Sequence, residues 1–434
     1  MKYIFLPIIF IFLALNSCSK KKEEVVVLKN EQGMRLMVNG EDFIINGMNW
    51  DYFPVGTNFS YSLWQQPNAF IKKALETEMT LLKELGVNTI RVYEGIQPKW
   101  ITYIYEKYGI YTMLNHSFGR YGVSINGNWK PETDYTNVNA QKSLLAEVVQ
   151  MTKTYKNTPG LLLFLLGNEN NYGLFWAGSE TEDFPEEETE KKKIGEIRGR
   201  AMYKLMNEAA VQMKKVDASH PIAICNGDLL FIDIIAEECK DVDIYGTNMY
   251  RGKSFLDAFD IVKKKLNMPV LFTEFGSDAF NAINNKEDQK MQAFYLVENW
   301  KEIYKNVAGL GKAENAIGGF TFQFSDGWWK YGQTINLDVH DNDASWATKA
   351  YDYDYQENHN NMNEEWFGIC AKGPTNNKGL YTLYPRAAYY ALKEAHQLNP
   401  YSEGMTTSLV LKHFNEIKLN DALIKAANNK VVLE

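Results

Sequence analysis

The segment SLLAEVVQMTKTYKNTPGLLLFLLGNE, residues 143–169, combines an amphipathic helical pattern, a Pro-Gly turn and an unbroken apolar run. An apolar run of this kind is typical of a strand that is covered on both faces. It ends at Gly167, and a polar pair, Asn168 and Glu169, follows directly. An apolar strand that is followed at once by a carboxylate predicts a site at the carboxyl end of that strand.

The same order of helix, glycine turn and strand recurs on both sides of this segment. Counting the strands gives eight, near Ile45, Ile90, Thr112, Leu163, Ile222, Ile244, Leu271 and Phe320. Strands that alternate with helices imply βαβ units and a parallel sheet, and eight units predict an α/β fold of the (β/α)₈ TIM barrel type. The rival is an open doubly wound sheet, which would normally carry a glycine-rich phosphate turn. Neither GxGxxG nor GxxxxGK[ST] occurs in the sequence.

The N-terminus has the pattern of an export signal. Its apolar run, YIFLPIIFIFLAL, is shorter than the ~20 residues that span a bilayer. The run leads into LNSC, which resembles a bacterial lipobox and predicts lipidation of Cys18; an ordinary signal peptide cut elsewhere is the alternative. We therefore predict a lipoprotein signal peptide over 1–17 and a polar tether over 18–33. The protein would lie in the bacterial cell envelope, periplasmic or surface-facing, with the lipid anchor as its only membrane attachment.

The rest of the chain divides into two parts. MRLMVNGEDFIINGMNW, residues 34–50, predicts a β-hairpin around Asn39-Gly40 whose second arm enters the first barrel strand. We predict a barrel domain over 34–398, with long loops at 171–200 and 331–370. The remaining 399–434 form a C-terminal extension that is too short for a core of its own, and the sequence assigns it no role.

Composition excludes some classes of partner. The net charge is −8, and no basic stripe occurs beyond the first thirty residues, which argues against binding to nucleic acid. Aromatic residues make up 14%, which suits both sugar binding and ordinary packing. The cysteines at 225, 239 and 370 lack CxxC spacing, so we predict buried thiols rather than a disulfide framework or a zinc site.

Two strand ends carry a glutamate. In a (β/α)₈ barrel the catalytic residues lie at the C-terminal ends of the strands. Glu169 follows the fourth strand, and PVLFTEFG places Glu274 at the end of the seventh. Glycoside hydrolysis uses two facing carboxylates: one carries a proton to the leaving oxygen, and the other attacks the anomeric carbon or activates water. A strand-end glutamate alone is more often a surface ion pair, but two matched ones favour a shared catalytic site.

GNE and TEFG together resemble the clan A glycoside hydrolases, retaining (β/α)₈ enzymes such as those of families 2 and 5. The resemblance implies that Glu169 is the acid/base and Glu274 the nucleophile, with a covalent glycosyl-enzyme between the two steps. It also implies that Arg91, in NTIRVY, lies beside the nucleophile, where a cation would favour the ionised carboxylate. Tyr250, in GTNMYRG, is implied as a hydrogen-bond donor to the same carboxylate.

Further residues are candidates for sugar binding. The resemblance implies that Trp328, in FQFSDGWW, is the platform beneath the sugar, and Asn168 could donate to the sugar 2-hydroxyl. His116, in LNHSFG, ends the third strand and could line the site, although a structural role is equally open. Trp328 and Trp329 are adjacent, so at most one of them should face the sugar. Weaker aromatic candidates are Trp50, Tyr93, Trp176 and Trp366.

These residues predict a retaining glycosidase that cleaves β-glycosidic bonds of an oligo- or polysaccharide, of β-glucan or β-mannan type, without a metal or organic cofactor. A β-glucan transglycosylase is the first alternative, because NTIRVYEG and YEKYGIYTML resemble the fungal β-1,3-glucanosyltransferases. A non-catalytic glycan-binding lipoprotein is the second. A metal-dependent barrel hydrolase is disfavoured because His116 is the lone histidine at a predicted strand end. The sugar, its linkage, exo or endo action and the oligomeric state stay open.

Overall fold

The computed structural model describes residues 24–93, 95–174, 190–330 and 332–428. Within these ranges, eight parallel strands close into one barrel, which confirms the predicted fold. The strands are β1 (Ile45–Asn49), β2 (Thr89–Val92), β3 (Tyr111–His116), β4 (Leu161–Leu166), β5 (Ile222–Gly227), β6 (Ile244–Asn248), β7 (Val270–Phe275) and β8 (Ala316–Thr321). Strand β8 pairs with β1, Gly318 beside Ile45, and so closes the cylinder.

Helices follow the strands in alternation and cover the outside of the barrel. They are α1 (Asn68–Leu85), α2 (Pro98–Tyr108), α3 (Val138–Tyr155), α4 (Glu190–Val216), α5 (Ile232–Glu238), α6 (Ala258–Leu266), α7 (Gln289–Lys305) and α8 (Ala387–Ala395). Helix α1 ends at Gly86, which takes the left-handed conformation that favours glycine, with φ of 90°. The amide of Val87 then donates to Leu82, so the chain turns at once into β2.

The interior of the barrel changes character from one end to the other. Leu163 and Leu165 of β4 lie in an inner core with Ile45 and Leu271, whereas Phe164 packs in the larger core under the helices. This alternation is the period of a strand. Near the carboxyl ends the inward positions become polar, and that end carries the candidate site.

A three-stranded antiparallel sheet (Val25–Asn30, Gly33–Val38 and Glu41–Phe43) covers the opposite end of the barrel. Leu36 and Val38 pack there against the inner core. The hairpin predicted at Asn39-Gly40 is confirmed. The polar tether predicted over 18–33 is wrong for 25–33, because VVVLKN pairs along its whole length with the next strand and buries Val25.

Three loop regions extend the C-terminal face. After β3 comes a short hairpin of Val123–Ile125 and Asn128–Lys130. After β7, Phe280–Asn281 pairs with Lys286–Glu287. After β8, a long loop contains a 3₁₀ turn at Glu364–Trp366 and leads into a strand pair, Cys370–Thr375 with Tyr381–Pro385. Other 3₁₀ turns lie at Leu63–Gln65 and Tyr172–Leu174.

The C-terminal extension forms two helices, α9 (Thr407–Glu416) and α10 (Leu419–Asn428). The Phe414 ring packs on the ring of Tyr304 in α7 with centroids 5.3 Å apart, and Val410 is fully buried. The extension therefore adds to the outer layer of the barrel. In the part of the chain that the structure describes, every helix is too short or too polar to cross a membrane.

Candidate active site

The Asn-Glu pair lies in a tight turn after β4. Gly167 has φ of 88° and Glu169 has φ of 56°, so two residues of the turn are left-handed. This conformation is unfavourable for a residue with a side chain. It is held by the amide of Glu169, which donates to Cys225 O at 3.1 Å, and by the amide of Asn168, which donates to Asn170 Oδ1 at 2.7 Å. The turn aims Asn168 across the barrel mouth.

Glu274, near the end of β7, is 7% exposed and has three charged or phenolic neighbours. Arg91 Nη1 donates to Oε1 at 2.8 Å, and the Tyr93 hydroxyl lies 2.7 Å from the same oxygen. The Tyr250 hydroxyl donates to Oε2 at 3.0 Å. The carboxylate is therefore fixed in position, with two hydrogen bonds on one oxygen and one on the other.

Arg91, on β2, is fully buried beneath this carboxylate. Its Nε and Nη2 both donate to Asn115 Oδ1, at 2.9 and 2.7 Å, and Nη2 also donates to Asn168 Oδ1 at 2.8 Å. Nη1 donates to the Thr273 carbonyl as well as to Glu274. The guanidinium is thus held from several strands, and its charge is directed at one carboxylate.

Asn248, at the end of β6, connects the two glutamates. Its Nδ2 donates to Glu169 Oε1 at 2.9 Å and to Asn168 Oδ1 at 3.2 Å. Its Oδ1 accepts from Thr273 Oγ1 at 2.7 Å and lies 3.5 Å from Arg91 Nη1. Glu169 and Glu274 therefore belong to one hydrogen-bonded network at the barrel mouth.

The charges of this network determine which groups hold protons. Burial alone would lower the pKa of Arg91, but Tyr93, Cys225 and Glu274 nearby raise it above its usual range. Burial, and then the charge of Glu274, raises the pKa of Tyr250. Burial also raises the pKa of Tyr93. Arg91 stays cationic and both phenols stay protonated, so Arg91 and Tyr250 donate to Glu274, while the single proton of Tyr93 is shared between Glu274 Oε1 and Asn49 Oδ1, each 2.7 Å from the hydroxyl.

Most of the predicted site residues are brought together here. Glu169, Glu274, Asn168, Arg91 and Tyr250 all belong to the network described above. Cys225 lies beneath it, and burial raises the pKa of its thiol to about 11. Cys225, Cys239 and Cys370 are free and buried, as predicted.

His116 lies outside the network around Glu274, and its contacts fit the structural alternative. Along β3, Met113 packs in the inner core and Leu114 in the outer core, so Asn115 faces inward and His116 faces the helices. His116 Nδ1 accepts from the amide of Phe118 at 3.1 Å, and Nε2 lies 3.5 Å from Glu147 of α3. The preceding residue, Asn115, is the one that supports Arg91.

Within the described residues, the Trp328 ring packs on His340 of the loop after β8 rather than on Tyr93 or Tyr250. It stacks on His340 with ring centroids 5.0 Å apart, and His340 in turn stacks on Trp366 at 4.0 Å. Trp329 packs instead against Phe53, so the two adjacent tryptophans do diverge. Trp50 is buried against Glu78, and Trp176 lies outside the described residues.

Other aromatic side chains border Tyr250. Trp346 and Phe367 of the loop after β8 pack edge-on against its ring, each with centroids 5.8 Å away, and Phe322 approaches at 6.4 Å. Sequence reasoning missed Trp346 because a long irregular loop carries no periodic signal. It also missed Asn115 and Asn248, which end strands as Asn168 does, and ranked Tyr93 only as a weak platform although its hydroxyl lies on Glu274.

Comparisons with known proteins agree with this geometry. The family description "Glycosyl hydrolases family 2, TIM barrel domain" matches residues 28–326. A 1,3-beta-glucanosyltransferase, gel2 of Aspergillus fumigatus, is 24% identical over 336 residues, which cover 73% of this chain and 60% of that protein. The chain therefore spans less than two thirds of the length of this relative.

Similar solved structures include a GH2 beta-galacturonidase from Eisenbergiella tayi, with 17% identity and a TM-score of 0.53. The match covers 88% of this chain and 55% of that structure's chain. Beta-glucuronidase 3 of Bacteroides uniformis has 16% identity and a TM-score of 0.52, with 85% of this chain covering 39% of it. These likenesses concern the fold. Because the family match runs from the N-terminal sheet through all eight barrel strands, this chain belongs to glycosyl hydrolases family 2, TIM barrel domain.

Proposed function

We propose that the protein hydrolyses β-glycosidic bonds of a glycan and that the anomeric configuration is retained. The observation that carries the proposal is the network joining Glu274 to Glu169 through Arg91 and Asn248. Glu274 is held by a cation and two phenols, and Glu169 lies at the same end of the barrel. Two carboxylates facing one sugar are what this reaction requires.

In the first step, an oxygen of Glu274 attacks the anomeric carbon while the bond to the leaving oxygen breaks. Oε2 is better suited than Oε1, because it accepts one hydrogen bond and Oε1 lies against both Arg91 and Tyr93. The electron pair of the broken bond goes to the leaving oxygen. Glu169, as the carboxylic acid, transfers its proton to that oxygen.

In the second step, water attacks the same carbon and the bond to Glu274 breaks. Glu169, now a carboxylate, takes a proton from the water and is restored for the next cycle. Negative charge returns to Glu274 as it leaves, and Arg91 stabilises that charge from 2.8 Å. Arg91 therefore acts in both steps, by orienting the nucleophile and by making it a better leaving group.

The stereochemistry of the product tests this proposal. NMR of a β-glycoside digest should show the β-anomer first, and a 2-fluoro glycoside should leave a covalent adduct on Glu274. Glu169→Gln should lose most activity on substrates with poor leaving groups and retain much more on an activated aryl glycoside, which leaves without protonation. A first product with inverted configuration would reject the double displacement.

Transglycosylation is the second candidate, favoured by the similarity to a 1,3-beta-glucanosyltransferase over 73% of this chain. The glycosyl-enzyme would be the same, but the hydroxyl of an acceptor sugar would replace water. A 1,3-β-glucan oligosaccharide is therefore the first substrate to try, with β-glucuronides and β-galacturonides as the second set. Products longer than the starting oligosaccharide would assign transfer, and shorter ones alone would assign hydrolysis.

We also propose that Cys18 carries a lipid anchor in the bacterial cell envelope. The support is the sequence LNSC after an apolar run; residues 1–23 lie outside the described residues. Cys18→Ala should abolish incorporation of labelled fatty acid and move the protein from the membrane to the soluble fraction. Unchanged labelling of this variant would reject the anchor.

A further inference from the structure

The loop between β3 and α3, residues 117–137, is fastened to the Asn-Glu turn. Asn170 Nδ2 donates to the carbonyls of Ser117 and Phe118 at 3.1 and 2.9 Å. Arg120 Nε donates to the Asn168 carbonyl at 3.0 Å. Since these bonds join the loop to residues on both sides of Glu169, side chains of the loop have a fixed place relative to the catalytic mouth.

Tyr121 extends from this loop to the mouth. Its hydroxyl accepts a hydrogen bond from Asn168 Nδ2 at 2.9 Å. Burial of the hydroxyl end raises the pKa of Tyr121 to about 12, and the charges of Glu274 and Glu169 both contribute to that rise. The side chain as a whole is nevertheless 44% exposed, and the Arg120 guanidinium lies over its ring, 5.9 Å from the centroid.

Trp129 continues the exposed aromatic surface away from the mouth. It lies in the hairpin of Val123–Ile125 and Asn128–Lys130 and is 62% exposed. Its ring covers Gly122, the residue next to Tyr121; a Cβ at Gly122 would lie 2.5 Å from Trp129 Cζ2. Gly122 also has φ of 125°, a conformation that favours glycine. The absence of a side chain there lets the indole lie against the backbone.

We propose that Tyr121 and Trp129 form an aromatic strip that binds a β-linked glucan chain beyond the sugar unit held at the carboxylates, an assignment that rests on the proposed glycosidase function. The strip would make the protein prefer long oligosaccharides to short ones. It begins at Asn168, inside the catalytic network, and leads outward over the C-terminal face.

A glycan is the occupant because of the chemistry and the continuity of this surface. Sugar rings present C–H faces that pack on aromatic rings, and their hydroxyls suit a phenol at one end of the strip. Single exposed hydrophobic residues are ordinary, but Trp129 lies on the backbone of Gly122, the residue next to Tyr121, and Tyr121 is joined to the catalytic mouth by a hydrogen bond. A second copy of the chain is the competing occupant, and the experiment distinguishes it.

The experiment uses the full chain and two probes, a short and a long 1,3-β-gluco-oligosaccharide. The readout is the ratio of kcat/KM for the long probe to that for the short one. Trp129→Ala should lower this ratio roughly tenfold, through a higher KM for the long probe; tenfold corresponds to about 1.4 kcal/mol. Trp129→Tyr, which keeps a flat ring, should restore most of the preference, and Gly122→Ala should lower it by displacing the indole.

Tyr353→Ala is the matched control, because Tyr353 is an aromatic residue of similar exposure, 56%, that packs on Phe294 of α7. The ratio of kcat/KM values for this variant should equal that of the unchanged protein.

A second measurement separates this inference from the proposed function. Calorimetry measures the affinity of the long probe for the Glu274→Gln protein, with and without Trp129→Ala. The difference between the two affinities gives the contribution of the strip even where no hydrolysis occurs.

The outcomes are then distinct. No cleavage of either probe, with binding of the long probe weakened about tenfold by Trp129→Ala, would reject hydrolysis of 1,3-β-glucan and retain the strip. Cleavage of both probes with a ratio that Trp129→Ala leaves unchanged would retain the function and reject the strip. Absence of any binding, or a change in oligomeric state without a change in KM, would also reject it.

Discussion

Two buried arginine–carboxylate pairs lie on the C-terminal side of this barrel. Arg91 and Glu274 form one, and Arg386 and Asp326 form the other; the four residues are between 0% and 7% exposed. In the second pair, Arg386 Nη1 and Nη2 donate to the two oxygens of Asp326 at 2.6 and 2.7 Å. Arg91 donates one hydrogen bond to Glu274, at 2.8 Å. Other N–H groups of the guanidinium donate to side-chain amide oxygens and to a backbone carbonyl.

This difference separates a structural ion pair from a catalytic one. Both oxygens of Asp326 are occupied, Arg386 also donates to Glu287, and the pair anchors the loop after β8 to the start of α8. Oε2 of Glu274, by contrast, accepts one hydrogen bond, from the Tyr250 phenol, and has no contact with the guanidinium among the described residues. A carboxylate can thus be fixed by a buried cation and still be available to a substrate, provided that the cation does not bind both its oxygens.

Glu274→Gln tests the comparison with the largest expected effect. The amide has the size of the carboxylate but is not nucleophilic, so kcat should fall about 10⁴-fold or more. Steady-state kinetics on an aryl β-glycoside measures the loss, and circular dichroism checks that the barrel still forms. Glu287→Gln, which changes a half-exposed carboxylate at the other pair, is the control and should keep kcat within a few-fold.

Asp326→Asn should show the opposite pattern. Removing one partner of a buried ion pair leaves the other charge uncompensated, which costs about 3–5 kcal/mol of unfolding free energy. Urea unfolding measures the loss, while kcat per folded molecule should change little. If this variant folded as stably as the unchanged protein but lost its turnover, the distinction between the two pairs would be wrong.

A third buried carboxylate, Glu78, extends the comparison, because among the described residues its hydrogen-bond donors are an indole and a phenol rather than an arginine. It lies on α1, is 0% exposed, and accepts from the Trp50 indole and the Tyr381 hydroxyl. Burial raises the pKa of Glu78 from 4.5 to about 7, against the opposing effect of these two hydrogen bonds. The folded state therefore holds this proton at a pH where the unfolded chain has released it.

The sign of the pH dependence follows. The stability that Glu78 contributes is fully present below about pH 4.5 and is lost as the pH rises through about 7, by roughly 3 kcal/mol. Urea unfolding between about pH 4 and pH 8 should show this fall together with that of other buried carboxyls such as Asp51 and Glu365, whose pKa values burial also raises, and Glu78→Gln should make it smaller. Glu84→Gln, at an exposed position of the same helix, should keep it; an identical profile for both variants would contradict the assignment.

The sequence predicted all eight strands because each signal is local: an apolar run, a glycine turn and a helical period. It also located Glu169, Glu274 and Arg91, since catalytic side chains of this fold lie at strand ends. It failed where the answer depends on which way a residue faces. Neither the inward direction of Asn115 nor the path of the loop that carries Trp346 can be read without the register of the closed barrel.

Substitutions at Asn115 and His116 have the smallest expected effects and are the most closely matched pair. The two residues are neighbours on β3, and their side chains point in opposite directions. Asn115→Ala removes the acceptor of two Arg91 bonds, so the guanidinium can shift relative to Glu274. Misplacement of a supporting group typically costs between about tenfold and a hundredfold, here in kcat more than in KM.

His116→Ala should change kcat by less than about threefold, because this imidazole faces Glu147 of α3 outside the network. Kinetics on the same aryl glycoside, with the melting temperature of both variants as a check on folding, measures the contrast. Equal losses of kcat at the two positions would mean that strand direction does not decide which polar side chains serve Glu274. The observed pattern of bonds instead requires that activity be sensitive at Asn115 and tolerant one residue later.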